Sequence, residues 1–285
     1  MTMTLTPGDL VRRSHTAAPP ASSTPAPPPG AAAGHLERLG RPVVLCDLYD
    51  RTGFTYYDQL ARFDPGEIPV LLRAISGRRG RVLELAAGAG RLTLPMLALG
   101  LSVTALDLSE ELLALLQERS EARGVAAGRC TVVVADMTDF DLRDRFDTVV
   151  LGSISATVLD GVGRRLLMTA TMRHLCPDGV FLLTLGHYDT SRAYDRHYAI
   201  RGATGAPFDL FEHYEAGAGY RTVTVIPQQP DGDFVPVCIS RPRVVDPDIV
   251  LAEAAEAGFQ VTRVTPIAEV TETFRECLYR LEVGS

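Results

Sequence analysis

The chain contains no lysine, so all 28 of its basic residues are arginines, and its formal net charge is -7. An acidic chain with dispersed arginines binds polyanions poorly, which disfavours nucleic acid as a partner and suits a cationic or amine-bearing substrate better. Long apolar runs are also absent, whereas a transmembrane helix needs roughly 18 consecutive apolar residues. We therefore expect neither a nucleic-acid partner nor a membrane span.

Cysteine is scarce and follows no metal-binding or redox pattern. No CxxC pair occurs, and no cysteine stands at ligand spacing from a histidine. The start of the chain has two arginines at 12 and 13 but no apolar core of a secretory signal behind them. An odd number of cysteines among apolar neighbours predicts reduced, buried thiols in a cytoplasmic protein. The five are Cys46, Cys130, Cys176, Cys238 and Cys277.

With 285 residues, 46% of them apolar, the chain can bury one large core, or one core and that of a small subdomain. Alanine, proline, serine and threonine dominate residues 14–34. Proline opposes regular structure, and these side chains bury little apolar surface. We therefore expect a disordered tail over residues 1–38 and a folded domain over residues 39–285.

The first part of the folded domain, residues 39–78, has the periodicity of helices. Apolar and aromatic side chains recur at helical spacing from Leu45 to Leu60, with an interruption near Gly53. A further helix is expected at 65–75. We expect these helices to form a lid over a binding site.

Strands and helices alternate from residue 81 onward, and the alternation resumes after residue 245. Repeated β-α-β units predict a parallel sheet with right-handed crossovers and helices on both faces. Residues 186–245 break the pattern and predict an antiparallel insertion with strands at 208–214, 220–226 and 234–240. The sheet strands are expected at 81–85, 101–106, 130–134, 146–151, 180–185, 259–265 and 274–282, and the helices at 91–99, 109–122, 161–175 and 246–257.

The most informative segment is residues 81–93, RVLELAAGAGRLT. An apolar strand ends before the glycines, and a helix starts near Arg91 with free N–H groups facing the turn. Gly88 and Gly90 let the backbone turn tightly and approach a ligand. Asp107 ends the next strand, where a carboxylate can accept hydrogen bonds from both hydroxyls of a ribose. Together these features predict a nucleotide-cofactor site at the carboxyl ends of the strands.

Two cofactor families share this plan. A dinucleotide fingerprint requires a third small residue where this chain has Thr93, and Asp107 follows Gly90 by only 17 residues, fewer than the roughly 20 of that fingerprint. The acid in the first strand, Glu84, is also unusual for NAD sites. These features speak against NAD and favour the other cofactor family, and an NAD-linked oxidoreductase is kept as the alternative of another class.

The segment ELAAGAGR at 84–91 resembles motif I of the class I methyltransferases that use S-adenosylmethionine, and VVADM at 133–137 resembles the end of their third strand. Two further segments, LCDLYD at 45–50 and the helix after LGSIS, resemble segments of the N-methyltransferases of vancomycin-type glycopeptide biosynthesis. They also resemble segments of the methyltransferases of daptide clusters, which modify ribosomal peptides. The resemblance covers about residues 43–282. It implies a Rossmann-like α/β fold with a seven-stranded sheet, the last strand antiparallel, and residues 186–245 as a family-specific insertion.

The resemblance also implies roles at the cofactor site. Asp107 would bind the ribose, Asp136 the adenine amino group and Met137 the adenine ring, while Tyr49 and Tyr57 would lie near the methionine moiety. Each has a structural alternative, such as a turn for Asp136, the core for Met137 and lid packing for the tyrosines. The full predicted set is Tyr49, Tyr57, Glu84, Ala86, Gly88, Gly90, Arg91, Asp107, Leu108, Asp136, Met137, Gly152 and Ser153.

The loops after the later strands bear on the reaction. LGSISAT, at 151–157, lacks the Asn/Asp-Pro-Pro-aromatic signature of methyltransferases that act on DNA bases. It also lacks the acidic pair of metal-dependent catechol methyltransferases, so we expect no metal. After the fifth strand, His187 is the candidate general base, because the intrinsic pKa of histidine is near neutrality, although a structural histidine is equally open. Further candidates for substrate contact are Ser153, Ser155, Tyr188, His213, Tyr214 and Glu215.

These observations favour an N-methyltransferase that uses S-adenosylmethionine to modify an amino group of a peptide natural product. A ribosomal peptide of the daptide type is favoured over a glycopeptide. The alternatives are a small-molecule amine methyltransferase, an O-methyltransferase, or an S-adenosylmethionine-binding protein without catalysis. The expected partner is a peptide or amine substrate, and a homodimer is left open.

Overall fold

Two β-sheets and their helices make up the part of the chain that the computed structural model describes, which is residues 25–49, 51–61, 66–78, 80–271 and 274–284. The helices are α1 Gly30–Leu39, α2 Arg51–Ala61, α3 Glu67–Ile75, α4 Thr93–Ala98, α5 Glu110–Ala122, α6 Gly161–His174 and α7 Pro247–Glu256. The strands are β1 Val43–Asp47, β2 Arg81–Leu85, β3 Ser102–Asp107, β4 Cys130–Val134, β5 Phe146–Leu151, β6 Leu175–Tyr188, β7 Tyr194–Arg201, β8 Pro207–Tyr214, β9 Thr222–Pro227, β10 Val235–Ser240, β11 Phe259–Thr271 and β12 Phe274–Val283. None of the helices in these ranges is long and apolar enough to cross a membrane.

The larger sheet has seven strands in the order β11-β12-β6-β5-β2-β3-β4. Strands β4, β3, β2, β5 and β6 pair in parallel, whereas β12 runs antiparallel to both β6 and β11. The predicted α/β sheet with one reversed strand is therefore confirmed. Its strand order changes direction between β2 and β5, which is where open parallel sheets bind their ligands.

Apolar side chains on both faces hold this sheet between helices. Leu83 and Leu85 of β2 point into a core shared with α6 and α7, whereas Val82 points into the core on the other face, with α3 and α4. All three are at most 2% exposed, and burying such a side chain contributes about 1.5–3 kcal/mol of stability. Successive side chains along a strand point to opposite faces of the sheet. This alternation also determines the face on which each residue at a strand end lies.

The second sheet has five strands in the order β1-β10-β9-β8-β7. Strands β8, β9 and β10 lie where the insertion was predicted and pair antiparallel with one another. Strand β7 was not predicted, because exposed and half-buried residues simply alternate along YDRHYAIR and leave no apolar run. It is an edge strand, and such strands carry polar side chains that discourage further pairing.

The expectation of helices alone in residues 39–78 is wrong. The segment around Leu45 forms β1, which pairs in parallel with β10 and places Leu45 opposite Val237. This pairing joins distant parts of the chain, so helical spacing alone could not predict it. Gly53 also does not interrupt a helix: it lies within α2, where any side chain would overlap the carbonyl oxygen of Asp47.

The predicted disordered tail is also wrong in its last part, which forms α1. Ala32 in this helix is 2% exposed and packs in a cluster with Phe211 of the second sheet. The N–H of Ala31 donates to a carboxylate oxygen of Asp195 at 2.7 Å. Alanine is a strong helix former, so a partner surface is enough to order this segment. Residues 1–24 of the predicted tail lie outside the described residues.

The cysteines match their predicted burial in part. Cys46, Cys238 and Cys277 are buried, whereas Cys130 and Cys176 are half-buried. Cys46 and Cys238 face each other across β1 and β10, with their Sγ atoms 3.0 Å apart. The two cysteines are 192 residues apart in the chain, so the sequence alone does not predict this contact.

Candidate active site

A cleft of about 450 Å³ opens at the carboxyl ends of β2 and β5, at the point where the strand order changes direction. The glycine turn after β2 forms its floor, α2 covers it, and the loop after β5 closes one side. Its lining residues are Phe54, Tyr57, Asp58, Glu84, Ala86, Ala87, Gly88, Ala89, Arg91, Leu92, Leu112, Gly152 and Ser153. Seven residues of the predicted cofactor set are among them: Tyr57, Glu84, Ala86, Gly88, Arg91, Gly152 and Ser153.

The glycine turn places its two glycines in different surroundings. Both have left-handed backbone, with φ of 52° at Gly88 and 86° at Gly90, a conformation that costs other residues energy. A side chain at Gly90 would overlap Leu116 of α5, whereas one at Gly88 would meet only Leu112, at 3.9 Å. Gly90 therefore permits packing of the turn against α5, and Gly88 leaves its side open toward the cleft.

Asp107, at the end of β3, stabilises the glycine turn through hydrogen bonds to backbone N–H groups. One carboxylate oxygen accepts the N–H of Gly88 at 2.8 Å, and the other accepts the N–H of Ser109 at 2.9 Å. Ser109 also caps the N-terminus of α5, since its Oγ accepts the N–H of Leu112. Because a carboxylate oxygen can accept more than one hydrogen bond, Asp107 keeps acceptor capacity for the hydroxyls of a ribose.

Glu84 is a buried acid at the base of the cleft, with 3% of its surface exposed. Burial raises its pKa to about 8, although the hydroxyl of Thr93 and the charge of Arg91 oppose this shift. Glu84 therefore holds a proton at neutral pH. Thr93, the residue that departs from the dinucleotide fingerprint, donates its hydroxyl to Glu84.

Glu67 of α3 organises the other side of the cleft and was missed by sequence analysis. It is 1% exposed and accepts hydrogen bonds from Arg91, from the hydroxyl of Thr184 and from the N–H of Ser153. Arg91 also donates to the hydroxyl of Ser153. Gly152 is required here, since a side chain would lie 2.7 Å from a Glu67 carboxylate oxygen. In the sequence, the one sign of this role is that Glu67 is a lone acid at the otherwise apolar start of α3.

Helix α2 is fastened over the cleft by an ion pair. Asp58 accepts two hydrogen bonds from Arg119 of α5, at 2.7 and 2.6 Å, and Arg119 also donates to the carbonyl oxygen of Ala89 in the glycine turn. Tyr57 lines the cleft, and burial raises the pKa of its hydroxyl. Its ring meets that of Tyr49 edge to face, with centroids 5.0 Å apart. The helix expected as a lid is thus in contact with the cofactor turn.

Asp136 and Met137, which were predicted to bind adenine, lie outside the cleft lining, as does Leu108 of the predicted cofactor set. Asp136 is exposed, and one of its oxygens accepts both the N–H and the hydroxyl of Thr138, at 2.8 and 2.7 Å. Met137 is 8% exposed and belongs to the main core, which is the structural alternative that its sequence position left open. Leu108 is 65% exposed. The contact of all three with the cofactor stays a prediction.

His187 and Tyr188 lie on opposite faces of the sheet. The side chain of Tyr188 is on the face of Gly186, where an added side chain would lie 3.1 Å from Ile154, next to the cleft. His187 points to the other face and bonds the hydroxyl of Tyr279 at 2.6 Å. Burial and the charge of a neighbouring arginine lower its pKa. The expected position of His187 at the reactive side of the cleft is therefore wrong, because the alternation along β6 turns it away.

The three candidates for substrate contact in the insertion, His213, Tyr214 and Glu215, lie outside the cleft lining. Tyr214 is 2% exposed, and His213 approaches Glu215 at 3.0 Å and Asp195 at 3.7 Å. A side chain at Gly30 of α1 would come within 2.6 Å of His213. His213 therefore lies against α1 and not at the cleft.

The comparisons with known proteins agree with this geometry. The sequence profile of a methyltransferase domain family matches residues 82–179. A crystal structure described as the glycopeptide N-methyltransferase MtfA in complex with S-adenosylmethionine has 33% identity, covers 89% of this chain and 97% of that chain, and superposes with a TM-score of 0.64. MtfA in a second crystal structure has 31% identity over 90% of this chain and 100% of that chain, with a TM-score of 0.62.

More distant structures share the fold. The CcbJ methyltransferase from Streptomyces caelestis has 20% identity over 81% of this chain and 98% of that chain, with a TM-score of 0.66. No curated protein sequence matches the chain. The comparisons favour the methyltransferase interpretation over the dinucleotide one.

Proposed function

The chain belongs to the class I S-adenosylmethionine-dependent methyltransferases, and we propose that it methylates an amino group of a peptide natural product. The observation that carries this proposal is the extent of the similarity to a glycopeptide N-methyltransferase. The match covers 89% of this chain and 97% of that chain, so it extends well beyond the residues 82–179 that the domain profile matches. A ribosomal peptide and a glycopeptide are the two substrate types we propose.

The cleft has the features that this cofactor requires. Gly88 leaves space above the turn, and Asp107 presents carboxylate oxygens beside it. Asp107, the turn amides and Tyr57 would hold the cofactor. When bound, S-adenosylmethionine supplies a methyl group on a positively charged sulfur, which a neutral amine can attack in line. Phe54 and Tyr57 of α2 would exclude water from that point.

We infer that alignment and desolvation contribute more to the reaction than a dedicated base. The carboxyl groups around the cleft already have partners: Glu67 has Arg91, Asp58 has Arg119, and Glu84 keeps its proton. An amine that binds neutral needs no proton acceptor before the attack, and holding it in line is itself a large effect. The proton that the product amine carries afterwards can pass to solvent.

Methyl transfer to defined peptides tests the proposal. The full-length protein is incubated with S-adenosylmethionine and with peptides from its own gene neighbourhood, and fragment masses locate each added methyl group. The proposal predicts a mass increase of one or two methylene units at an amino nitrogen, with activity unchanged by a chelator. Methylation at an oxygen would support the O-methyltransferase alternative, and chelator inhibition reversed by added metal would contradict the mechanism.

A further inference from the structure

A group of polar aromatic and charged side chains lies where the second sheet meets the cleft. It consists of Tyr49, Tyr188, Tyr194, Glu212 and Arg221, and we call it the Arg221 cluster. Arg221 donates from Nη1 to Glu212 at 2.5 Å. The Arg221 guanidinium carbon lies 5.5 Å from the centre of the Tyr188 ring.

Two members of the Arg221 cluster lie close to residues of the cleft. The ring of Tyr49 contacts that of Tyr57, which lines the cleft, and Tyr49 is also among the groups that raise the pKa of Arg221. Tyr188 stands on the sheet face that reaches Ile154, the neighbour of the cleft residue Ser153. A substrate that places its amine in the cleft would therefore extend across this cluster.

Arg221 is mostly buried and incompletely bonded. Its side chain is 17% exposed and that of Glu212 is 23% exposed. Its Nε atom is buried and has no hydrogen-bond partner in the described ranges, and leaving a buried donor unpaired is costly. Burial by itself lowers the pKa of Arg221, but Tyr188, Glu212 and Tyr194 raise it by more, so the guanidinium stays charged.

We propose that Arg221 binds the amide carbonyl oxygen next to the reacting amine, so that the acceptor is a peptide N-terminus with its adjoining amide and not an isolated amine. The inference rests on the proposed N-methylation. Because Glu212 already balances the charge of Arg221, the pair suits a neutral acceptor better than a carboxylate. A guanidinium near the amine also disfavours the ammonium form, and the attacking amine must be neutral.

Matched probes test this inference. One set is dipeptide amides with a free α-amine, and the other is the primary amines with the same side chains but no carbonyl group. The full-length wild type and Arg221→Lys are compared by kcat/KM at saturating S-adenosylmethionine. We expect the wild type to prefer the amides, and Arg221→Lys to lower the amide-to-amine ratio about 10- to 100-fold, because lysine lacks the planar fork of donors. Arg192→Lys, an exposed position in the same insertion, should keep the wild-type ratio.

Each outcome separates the inference from the function on which it rests. If the wild type methylates neither probe set, the proposed N-methylation fails as well. If it methylates both sets equally, or if Arg221→Lys lowers both by the same factor, N-methylation stands and the role of Arg221 is refuted. Partial misfolding lowers both rates alike and leaves the ratio readable.

Glu212→Gln supplies the second test should Arg221→Lys be inactive. Removing the balancing charge should raise the preference of Arg221 for a carboxylate. We therefore expect the variant to improve kcat/KM for free amino acids relative to amino acid amides by about tenfold. An unchanged ratio would contradict the assignment of a carbonyl-binding role to Arg221.

Discussion

The cleft end of the seven-stranded sheet and the second sheet are built from contacts of very different range. At the cleft, Gly88 bonds Asp107 only 19 residues away. In the second sheet, Cys46 faces Cys238 across 192 residues. The cofactor end is thus formed by short segments with their own backbone requirements. The end that we assign to the acceptor is formed by segments that meet only once the chain has folded.

This difference in range predicts that substitutions in the two regions affect different binding steps. At the cleft, left-handed backbone and close neighbouring side chains restrict which residues the glycine turn tolerates. Small substitutions there should therefore affect cofactor binding first. In the second sheet, the structure depends on contacts between side chains of different strands. Substitutions there should therefore affect binding of the acceptor.

The largest effect is expected at Gly90. In Gly90→Ala, left-handed backbone strain and the overlap with Leu116 add together, and we expect a loss of about 2–4 kcal/mol of unfolding free energy with loss of cofactor binding. Urea unfolding and calorimetric titration measure the two effects. Gly205→Ala is the matched control in the second sheet, because Gly205 has a φ of 84° but nothing within 4 Å of an added side chain. Equal losses in both variants would show that the overlap is irrelevant.

Asp107 comes next. We expect Asp107→Asn to weaken S-adenosylmethionine binding by about 1.5–3 kcal/mol, because a charge-assisted hydrogen bond is lost. Asp147→Asn is the control: Asp147 also accepts a backbone N–H, from Arg81 at 2.8 Å, but at the amino ends of the strands. Calorimetry should show weaker binding in the first variant alone, and NAD should not bind. Unchanged affinity in Asp107→Asn would refute its role at the ribose.

Glu84 gives a pH-dependent prediction. The folded protein keeps this proton up to a pKa of about 8, whereas the unfolded chain loses it near 4.5. The contribution of Glu84 to the free energy of unfolding therefore falls as the pH rises between these values, by at most about 1.4 kcal/mol per pH unit. Glu84→Gln, which imitates the protonated acid, should flatten this slope in urea unfolding, and the exposed Glu256→Gln should not. Equal slopes in the wild type and Glu84→Gln would contradict the assignment.

The smallest effect is expected at His187. Because His187 faces Tyr279 and not the cleft, we expect His187→Gln to lower turnover by about tenfold or less. A general base would cost about 10²–10⁴-fold. Turnover measured across the pH range decides between them, and substitution of Tyr57 by leucine should cost more. A loss of the larger size, with the pH profile altered, would restore His187 as the base.

The predictability of each part follows from the same contrast. The sheet, the glycine turn and Asp107 were predictable because strand, turn and cap signals are local. Glu67 and Arg221 were not, since their partners come from other elements. His187 was placed at the right strand end but on the wrong face, because a strand's register cannot be fixed from its end alone.

One pair of constants tests the separation of the two regions most directly. The dissociation constant of S-adenosylmethionine and the KM of a dipeptide amide at saturating cofactor are measured for Asp107→Asn and Arg221→Lys. We expect Asp107→Asn to change the first constant and leave the second unchanged, and Arg221→Lys to change the second and leave the first unchanged. A change of both constants in both variants would show that the cofactor and acceptor sites are not separable.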